Sequence, residues 1–578
     1  MKNLLEAVLA SRGFTDQNDR EAFLHPSYEA FKHDPFLLPD MESAVARLVQ
    51  AKERKDIIVI YGDYDIDGLT ATTLLLDSFE KFGIEASAFI PNRFVEGYGL
   101  ATSAIEKIAA QGAQLIVTVD CGSLSHKESA RAGELGVDVI VTDHHSVADT
   151  MPEAVAVINP KRLLQDHPQT YDKFSVLSSR FSAKDSQNSE LRTQNLYPFL
   201  DLAGVGVAFK LVQALQTRLD GLPAGQEKWL LDLVALGTVC DVVTLVDENR
   251  ANVYWGLEVM KKTRRPGLKA LLAVSRIDPS KLIARNLGFG LGPRLNAAGR
   301  LETAQLALDL LRAQDPQVAL SLAETLDGMN TARRSDQDKI YKAAIIQAET
   351  YAKHPVLVVS DPEWSHGIIG IVAAKLLERY AKPTFVLQEL EDGTAKGSAR
   401  SYGDFSAVDA IRATETFLVK GGGHKLAAGV TIETHNIAPW RTAMNEYHHS
   451  LKLVDQIKHL EPVGEVTLSD FSLCSESNIM PLSQLEPFGH GNREPVFEFT
   501  NLTVISRRLM GADNQHVKYR FEDSKGKMMD MIAFGKADVF TAQMGDVVAV
   551  WAELGLNEWN GRRSVEGMLK KMKEANTD

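Results

Sequence analysis

The sequence predicts an α/β protein of several domains: a lobe built on a parallel sheet, a long connecting helix, a second α/β lobe and a small C-terminal β-barrel. Three observations carry that prediction. Between residues 57 and 147 apolar, β-branched runs alternate with helical patterns, the grammar of β-α-β units. A similar alternation returns after residue 354, and beyond about residue 456 the texture changes to short strands divided by turn residues. Length agrees, since 578 residues exceed one hydrophobic core and about 100 to 200 residues per domain implies three or four domains.

The elements follow in chain order. Residues 1–56 read as a helical cap region, and residues 57–260 as the first lobe. Its strands IIVIY, QLIVTVD and VDVIVTDHH, with the helix LTATTLLLDSFEKF after the first, are near-continuously apolar. Such strands are buried on both faces in a mostly parallel sheet, and ligands bind outside their carboxyl ends. The polar, serine-rich stretch 163–195 has no sustained apolar period and reads as a surface insertion. Helical periodicity resumes in WLLDLVALGTVCDVVTL. Residues 261–353 form a connector ending in a long charged helix from about 303 to 353. The second lobe, 354–455, opens with strand PVLVVS, then helix IIGIVAAKLLERY, strand PTFVLQE and the glycine-rich KGGGHKLAAGVTI. In residues 456–578 the strands VGEVTL, VFEFTNLTVISRRLM, HVKYRFED, MMDMIAF and DVVAVWAELGLNEWNG suggest an oligonucleotide-binding (OB) barrel.

Composition narrows the class. With 44% hydrophobic and 24% charged residues, the apolar runs are too short for the roughly 20 residues that span a bilayer. In the N-terminal MKNLLEAVLASRGF, Glu6 interrupts the apolar stretch and no small-residue cleavage site follows. A cytoplasmic protein without membrane contact is expected. Cys121, Cys240 and Cys474 are too few and too scattered for a disulfide framework or a cysteine-rich zinc site. A net charge of -13 argues against a uniformly basic surface, yet allows basic residues lining a single groove.

The strongest signal is positional. Three apolar strands end in acids: GDYDIDG at 62–68, VTVDCG around Asp120 and VTDHH at 141–145, and Asp241 follows the apolar LVALGTVC. One such aspartate is common, because Asp favours turns and helix N-caps. Four on one edge of a sheet would repel and raise one another's pKa values unless a cation neutralised them. Carboxylate oxygens with an imidazole suit magnesium or manganese, and a shared carboxylate can hold two ions about 3.5 to 4 Å apart. Such a pair suits phosphate ester hydrolysis.

In order, GDYDIDG, Asp120, TDHH and Asp241 resemble the four motifs of the DHH phosphoesterases. That resemblance implies Asp65, Asp67, Asp120, His144 and Asp241 as ligands of two Mn2+ or Mg2+ ions, with Asp120 as the bridge. It implies Asp63 and Asp143 as residues that orient those ligands through hydrogen bonds. His145 would face the substrate, polarising the scissile phosphate or moving a proton, which with Asp120 makes it the expected catalytic group.

In the connector, GFGLGPRLNAAGRL at 288–301 combines glycines that allow close backbone approach with Arg294, Asn296 and Arg300, apt for phosphate and sugar contacts, the alternative being a common glycine-rich turn before a helix. SHGIIGIVA, GSAR and GGGHKLAAG add His366, Ser398, Arg400, Gly423 and His424. Three glycines ahead of a helix can present N–H groups to a phosphate, or serve only as a tight helix entry. Their joint order resembles the DHH-associated domain, and GPRLNAAGR is most similar to the single-strand exonuclease branch of the superfamily. In that branch two lobes form a cleft, and Ser398 and Arg400 become candidates for a pocket that takes a 5′ phosphate. In the barrel, Phe497, Phe499, Tyr519, Phe521, Trp551 and Trp559 are candidates to stack on bases, with Arg507, Arg508, Lys518 and Arg520 near phosphates. Strand alternation sends about half of such residues into the core.

The resemblance implies a Mn2+- or Mg2+-dependent exonuclease acting 5′ to 3′ on single-stranded DNA and releasing 5′-mononucleotides, in DNA repair and recombination. Expected with it are a monomer and helicase or single-strand-binding protein partners. Two other readings compete. A phosphodiesterase for short oligonucleotides or cyclic dinucleotides would share the metal motifs, but needs no barrel. A non-catalytic DNA-binding scaffold is disfavoured by the intact set of acids and histidines.

Overall fold

The computed structural model describes residues 3–574 apart from 93–95, 98, 169–195, 302, 454–461 and 560, so most of the 163–195 insertion lies outside the described residues. Two compact units emerge: residues 1–327 with 463–578, and residues 328–462. Among the described residues no helix is long and apolar enough to cross a membrane.

In the first unit β1 (Ile58–Gly62), β2 (Ala86–Phe89), β3 (Leu115–Val119), β4 (Asp138–Thr142) and β5 (Ala156–Ile158) form a sheet in the order β2-β1-β3-β4-β5. Every pairing is parallel. Strands β1 and β3 are buried along their whole length, as their unbroken apolar runs require. The edge strands β2 and β5 add to the three read from sequence. β2 has a half-exposed ASAF pattern and β5 only three residues, so neither announces itself by apolar length. Helix Ile66–Phe82 follows β1. The Asp65 carboxylate caps it by accepting from the N–H groups of Asp67 and Gly68 at 2.9 and 3.1 Å, satisfying donors that a helix start leaves open. It packs against helices Gly204–Leu215 and Leu231–Cys240. Asp241 caps the C-terminal end of the latter helix rather than ending a strand.

The connector departs from the single long helix expected over about 303 to 353. The charged stretch forms two helices, Gln305–Arg312 and Pro316–Thr350. The break falls at Asp315-Pro316, where the Asp315 carboxylate accepts from Gln317 and Val318 N–H and Pro316 takes the first helical position, which tolerates its missing donor. Residues 288–301 are not a turn before a helix: a π-helical stretch, Leu287–Leu291, runs straight into helix Gly292–Leu301.

The second unit holds β6 (Leu357–Asp361), β7 (Thr384–Glu389), β8 (Thr394–Arg400), β9 (Leu418–Gly423) and β10 (Ala427–Glu433) in the order β6-β7-β8-β10-β9. The triple glycine 421–423 ends β9 and leads through a hairpin into β10, not into a helix. A backbone already paired in a ladder is not free to form a helical N-terminal anion site.

The barrel consists of β11 (Val466–Leu468), β12 (Val496–Met510), β13 (His516–Glu522), β14 (Met528–Ala533), β15 (Val547–Trp559) and β16 (Arg562–Glu574). Pairing of β12 with β15 closes a ring of five strands, with β11 parallel to β12 on its flank. β16, dense in charged residues, was absent from the strand pattern of the sequence. Phe497, Phe499, Tyr519 and Phe521 are fully buried in the barrel core and cannot stack on bases. Trp551 is half-buried under Lys571, whose Nζ sits 4.7 Å from the ring centre. The side chain of Trp559 lies outside the described residues. Lys518 and Arg520 are ion-paired to Asp530, and Arg507 donates to Tyr519 and to the carbonyls of Ala537 and Phe540. Of the four basic candidates Arg508 and Arg520 are exposed, the latter held in its ion pair.

Residues 1–56 divide their packing. Leu4, Leu5, Val8, Leu9, Phe14 and Phe23 join the barrel core, whereas helix Met41–Arg54 packs on helix Gly204–Leu215 and on β5 of the parallel-sheet lobe.

Candidate metal centre

Asp63, Asp120 and Asp143 stand one residue past the ends of β1, β3 and β4 and Asp241 one past helix Leu231–Cys240, while Asp65 and Asp67 sit at the start of helix Ile66–Phe82. Asp120 N–H still donates to Thr142 O, and Asp143 N–H to Ile158 O, both at 3.0 Å. Asp120 then turns with φ 62°, a left-handed conformation uncommon outside glycine. The turn is tightly enclosed. A Cβ on Gly204 would lie 2.7 Å from the Asp120 Cβ, so the start of helix Gly204–Leu215 can approach only because residue 204 lacks a side chain. The same helix start holds Asp67, whose two oxygens accept from Gly204 and Val205 N–H at 2.6 and 2.8 Å. Those are the open donors of a helix N-terminus, which favour negative charge.

The structure brings the sequence-predicted ligands together. His144 Nε2 lies 3.1 Å from Asp120, 3.5 Å from Asp241 and 3.8 Å from Asp67. Asp67, His144 and Asp241 form one set whose ligand atoms all lie within 4.8 Å of one another, and Asp63, Asp65 and Asp120 form a second. Asp120 also groups with His144 and His145, which places it between the two sets. Asp63, expected only to orient others, thus stands among the groups able to contact an ion.

Asp143 is differently occupied. Its carboxylate accepts from the N–H groups of His144, His145 and Ser123 and lies 2.9 Å from His145 Nδ1. The sequence reading missed Asn159, the residue after β5, whose amide donates to Ser123 Oγ and to His145 O at 2.8 and 2.9 Å. The rule that found the acids, a polar residue ending an apolar strand, would have found it had it been extended beyond carboxylates.

Crowding has the electrostatic effect expected of like charges out of water. Burial, then the charge of Asp65, pushes Asp67 up to about 7. Burial, then Asp67 and Asp65, pushes Asp241 up to about 9. Asp120 is raised well above the usual carboxylate range by burial and by Asp67, Asp65, Asp241 and Asp63. Burial and His145 bring His144 down to about 3, leaving a neutral imidazole suited to coordination. For Asp143 burial opposes ionisation, but the His145 hydrogen bond and both imidazoles outweigh it and hold the carboxyl below its ordinary range. Burial lowers His145 too, yet its bond to Asp143 and the nearby acids raise it overall.

These residues fit divalent cations. Asp120 Oδ1 and His144 Nε2 are buried and make no hydrogen bond, an arrangement costly for polar atoms unless something else satisfies them. The donor set, carboxylates plus one or two imidazoles, matches magnesium and manganese chemistry.

The remaining predicted residues lie elsewhere. Arg294 is committed within the chain, to Asp327 and to Gly290 O, each at 2.7 Å. Asn296 and Arg300 are half-buried on helix Gly292–Leu301, and a Cβ on Gly299 of that helix would lie 3.1 Å from Tyr64 O, between Asp63 and Asp65. In the second unit Ser398 and Arg400 share the half-exposed face of β8, and a Cβ on Gly370 of helix His366–Tyr380 would lie 3.4 Å from Ser398 Oγ and 3.3 Å from Arg400 Nη2. His366 opens that helix, its N–H donating to Gln388. Gly423 and His424 are exposed at the β9–β10 hairpin, where Ala427 pairs with Arg400.

Family models match three stretches: the DHH family N-terminal domain over residues 57–238, the DHHA1 domain over 353–450 and the RecJ OB domain over 464–571. The chain is 35% identical over 572 residues to the single-stranded-DNA-specific exonuclease RecJ of Bacillus subtilis, covering 98% of this chain and 67% of that one. It is 35% identical to the RecJ of Salmonella typhimurium, covering 92% and 89%. Among solved structures, RecJ of Thermus thermophilus in complex with Mn2+ superposes with a TM-score of 0.79 at 29% identity, covering 99% of this chain and 76% of that one. The same Thermus protein in complex with Mg2+ gives 0.73 at 28% identity, over 99% and 74%.

Proposed function

The chain belongs to the RecJ family of single-stranded-DNA-specific exonucleases, and on that premise we propose that it hydrolyses phosphodiester bonds of single-stranded DNA with two Mn2+ or Mg2+ ions. The observation that carries this reading is the convergence of Asp63, Asp65, Asp67, Asp120, His144 and Asp241 into two ligand sets that meet at Asp120. Asp67, His144 and Asp241 would hold one ion, Asp63 and Asp65 the other, and Asp120 both. Bound there, the pair would supply a water acidic enough to act as nucleophile and positive charge to stabilise the phosphorus oxygens.

The chain's own groups do the rest. Asp143 fixes the His145 ring through Nδ1, and the His145 side chain, 32% exposed, is open to exchange a proton with substrate. Ser398 and Arg400 supply a hydroxyl and a guanidinium for a terminal phosphate, a charge-assisted pairing that favours a dianionic end over an internal phosphate. Given membership of that family, we take the bound terminus to be a 5′ end, so that digestion runs 5′ to 3′ and releases 5′-mononucleotides. The motor motif GxxxxGK[ST] does not occur in the sequence, so the enzyme, acting in the cytoplasm as a monomer in DNA repair and recombination, depends on a helicase or a single-strand-binding protein for unwound substrate. The test uses strands labelled at either end, with each end blocked in turn, with and without Mn2+. Release should require the metal and stop when the 5′ end is blocked; undiminished digestion of 5′-blocked strands would refute the polarity, and digestion in excess chelator the metal chemistry.

A further inference from the structure

Asp241 begins a six-residue link, 241–246, between helices Leu231–Cys240 and Asp247–Met260. Its neighbour Val242 has φ 62° and is 64% exposed. A β-branched residue in the left-handed region is strained and persists only where its surroundings over-determine the turn. Val242 itself, pointing to solvent, supplies no such constraint. The constraint must come from the residues that follow.

Two anchors hold them. On one side the Thr244 hydroxyl donates to Asp201, and the Asn249 amide donates to Asp201 O and Thr244 O at 2.6 and 3.0 Å. On the other side the anchor comes from the barrel, nearly 250 residues away in sequence: Leu245 N–H donates to His490 O at 2.8 Å. Leu245 is 1% exposed, and a Cβ on Gly489 would lie 2.7 Å from its Cδ1, so the barrel loop meets the Leu245 side chain at contact distance. That loop is itself fixed. Fully buried Asn492 donates to Leu485 O and Pro487 O and accepts from Arg12 at 2.6 Å. Arg250, one turn into the helix after the link, donates to the carbonyls of Leu485, Glu486 and Pro487.

We propose that the barrel loop 486–493 belongs to the machinery that positions Asp241, acting through the Leu245 backbone and the close approach that Gly489 allows, both as positioning elements for the metal centre. The inference rests on the reading of Asp241 as a metal ligand. It gives the barrel a second task beside strand binding, because the loop's grip on Leu245 fixes the turn from which the carboxylate projects.

The test measures Mn2+ binding to the full chain by electron paramagnetic resonance, and single-strand affinity separately in chelator. Four proteins are compared: wild type, Asp241→Asn, Gly489→Val, and Gly489→Val with Leu245→Ala, which restores room for the intruding side chain. Gly489→Val should weaken Mn2+ binding by about 10-fold, the order seen when groups behind a metal ligand are disturbed, with single-strand affinity unchanged. The double variant should recover most of that loss. If Gly489→Val does not fold, Gly489→Ala makes the same, smaller intrusion. Unchanged Mn2+ affinity in Asp241→Asn overturns the ligand reading. Weakened binding in Asp241→Asn beside wild-type binding in Gly489→Val overturns the positioning role alone, as does a double variant that fails to recover or a parallel fall in single-strand affinity.

Discussion

Replacing Asp241 with asparagine tests whether the acids are kept for a cation at the expense of the metal-free fold. In the folded chain the Asp241 carboxyl is raised from 3.8 to about 9, by burial first and then by Asp67 and Asp65. A folded value above the unfolded one means that stability is greatest below about pH 4 and is lost as pH rises toward 9. At pH 7 the folded group keeps a proton that the unfolded group has released. The gap from 3.8 to 7, at about 1.4 kcal/mol per unit, amounts to roughly 4 kcal/mol. Asparagine escapes that cost but brings an imperfectly bonded amide, worth about 1 to 3 kcal/mol. The metal-free variant should therefore be more stable than wild type by roughly 1 to 3 kcal/mol at pH 7 and no more stable near pH 4. Mn2+ at about a thousand times its dissociation constant should reverse the order by adding about 4 kcal/mol to wild type. Urea unfolding followed by tryptophan fluorescence, at both pH values with and without Mn2+, reads all of this. A metal-free wild type at least as stable as the variant at pH 7 would refute the reasoning.

Other perturbations separate the roles of neighbouring groups. Asp143→Asn should leave Mn2+ affinity within a few-fold while slowing turnover by about 10- to 100-fold, since Asp143 acts through His145 and the flanking backbone; equal losses in both would place Asp143 on the metal. Mn2+ should support hydrolysis at lower concentration than Mg2+, because His144 offers nitrogen to a metal set otherwise made of oxygen; a metal titration giving equal midpoints would contradict that. Truncation near residue 460 should expose Leu4, Leu5, Val8, Leu9 and Phe14 and so bind a hydrophobic dye and aggregate. Removing residues 3–24 as well should restore solubility, and a well-behaved single truncation would show that the shared core is dispensable.

The parallel sheet and its acids were legible because a strand buried on both faces leaves an unbroken apolar run, and a carboxylate at its end stands out against that run. What escaped notice depends on contacts remote in sequence. The support of Asp67 by Gly204 and Val205 is made by backbone N–H groups, which every residue but proline carries. The barrel aromatics could not be sorted by identity, because alternation tells which residues share a face but not which face is inside. Phe497, Phe499, Tyr519 and Phe521 turned out to be the inner set. The triple glycine was ambiguous for a related reason: permissive backbone suits a hairpin as well as a helix entry, and the pairing of β9 with β10 decides it.

The core shared by residues 4–23 and the barrel has a consequence for how the chain is born. Helices Leu4–Ser11 and Gln17–Leu24 leave the ribosome long before the strands that cover their apolar faces. Arg12 waits for Asn492, a partner 480 residues later, which at about 5 to 20 residues per second is roughly 20 to 100 seconds of synthesis. During that interval the parallel-sheet lobe can complete its own core, but Leu4, Leu5, Val8 and Leu9 have nowhere to go. Nascent chains should accordingly be bound by hydrophobic-surface chaperones around these helices and released only once the barrel strands emerge.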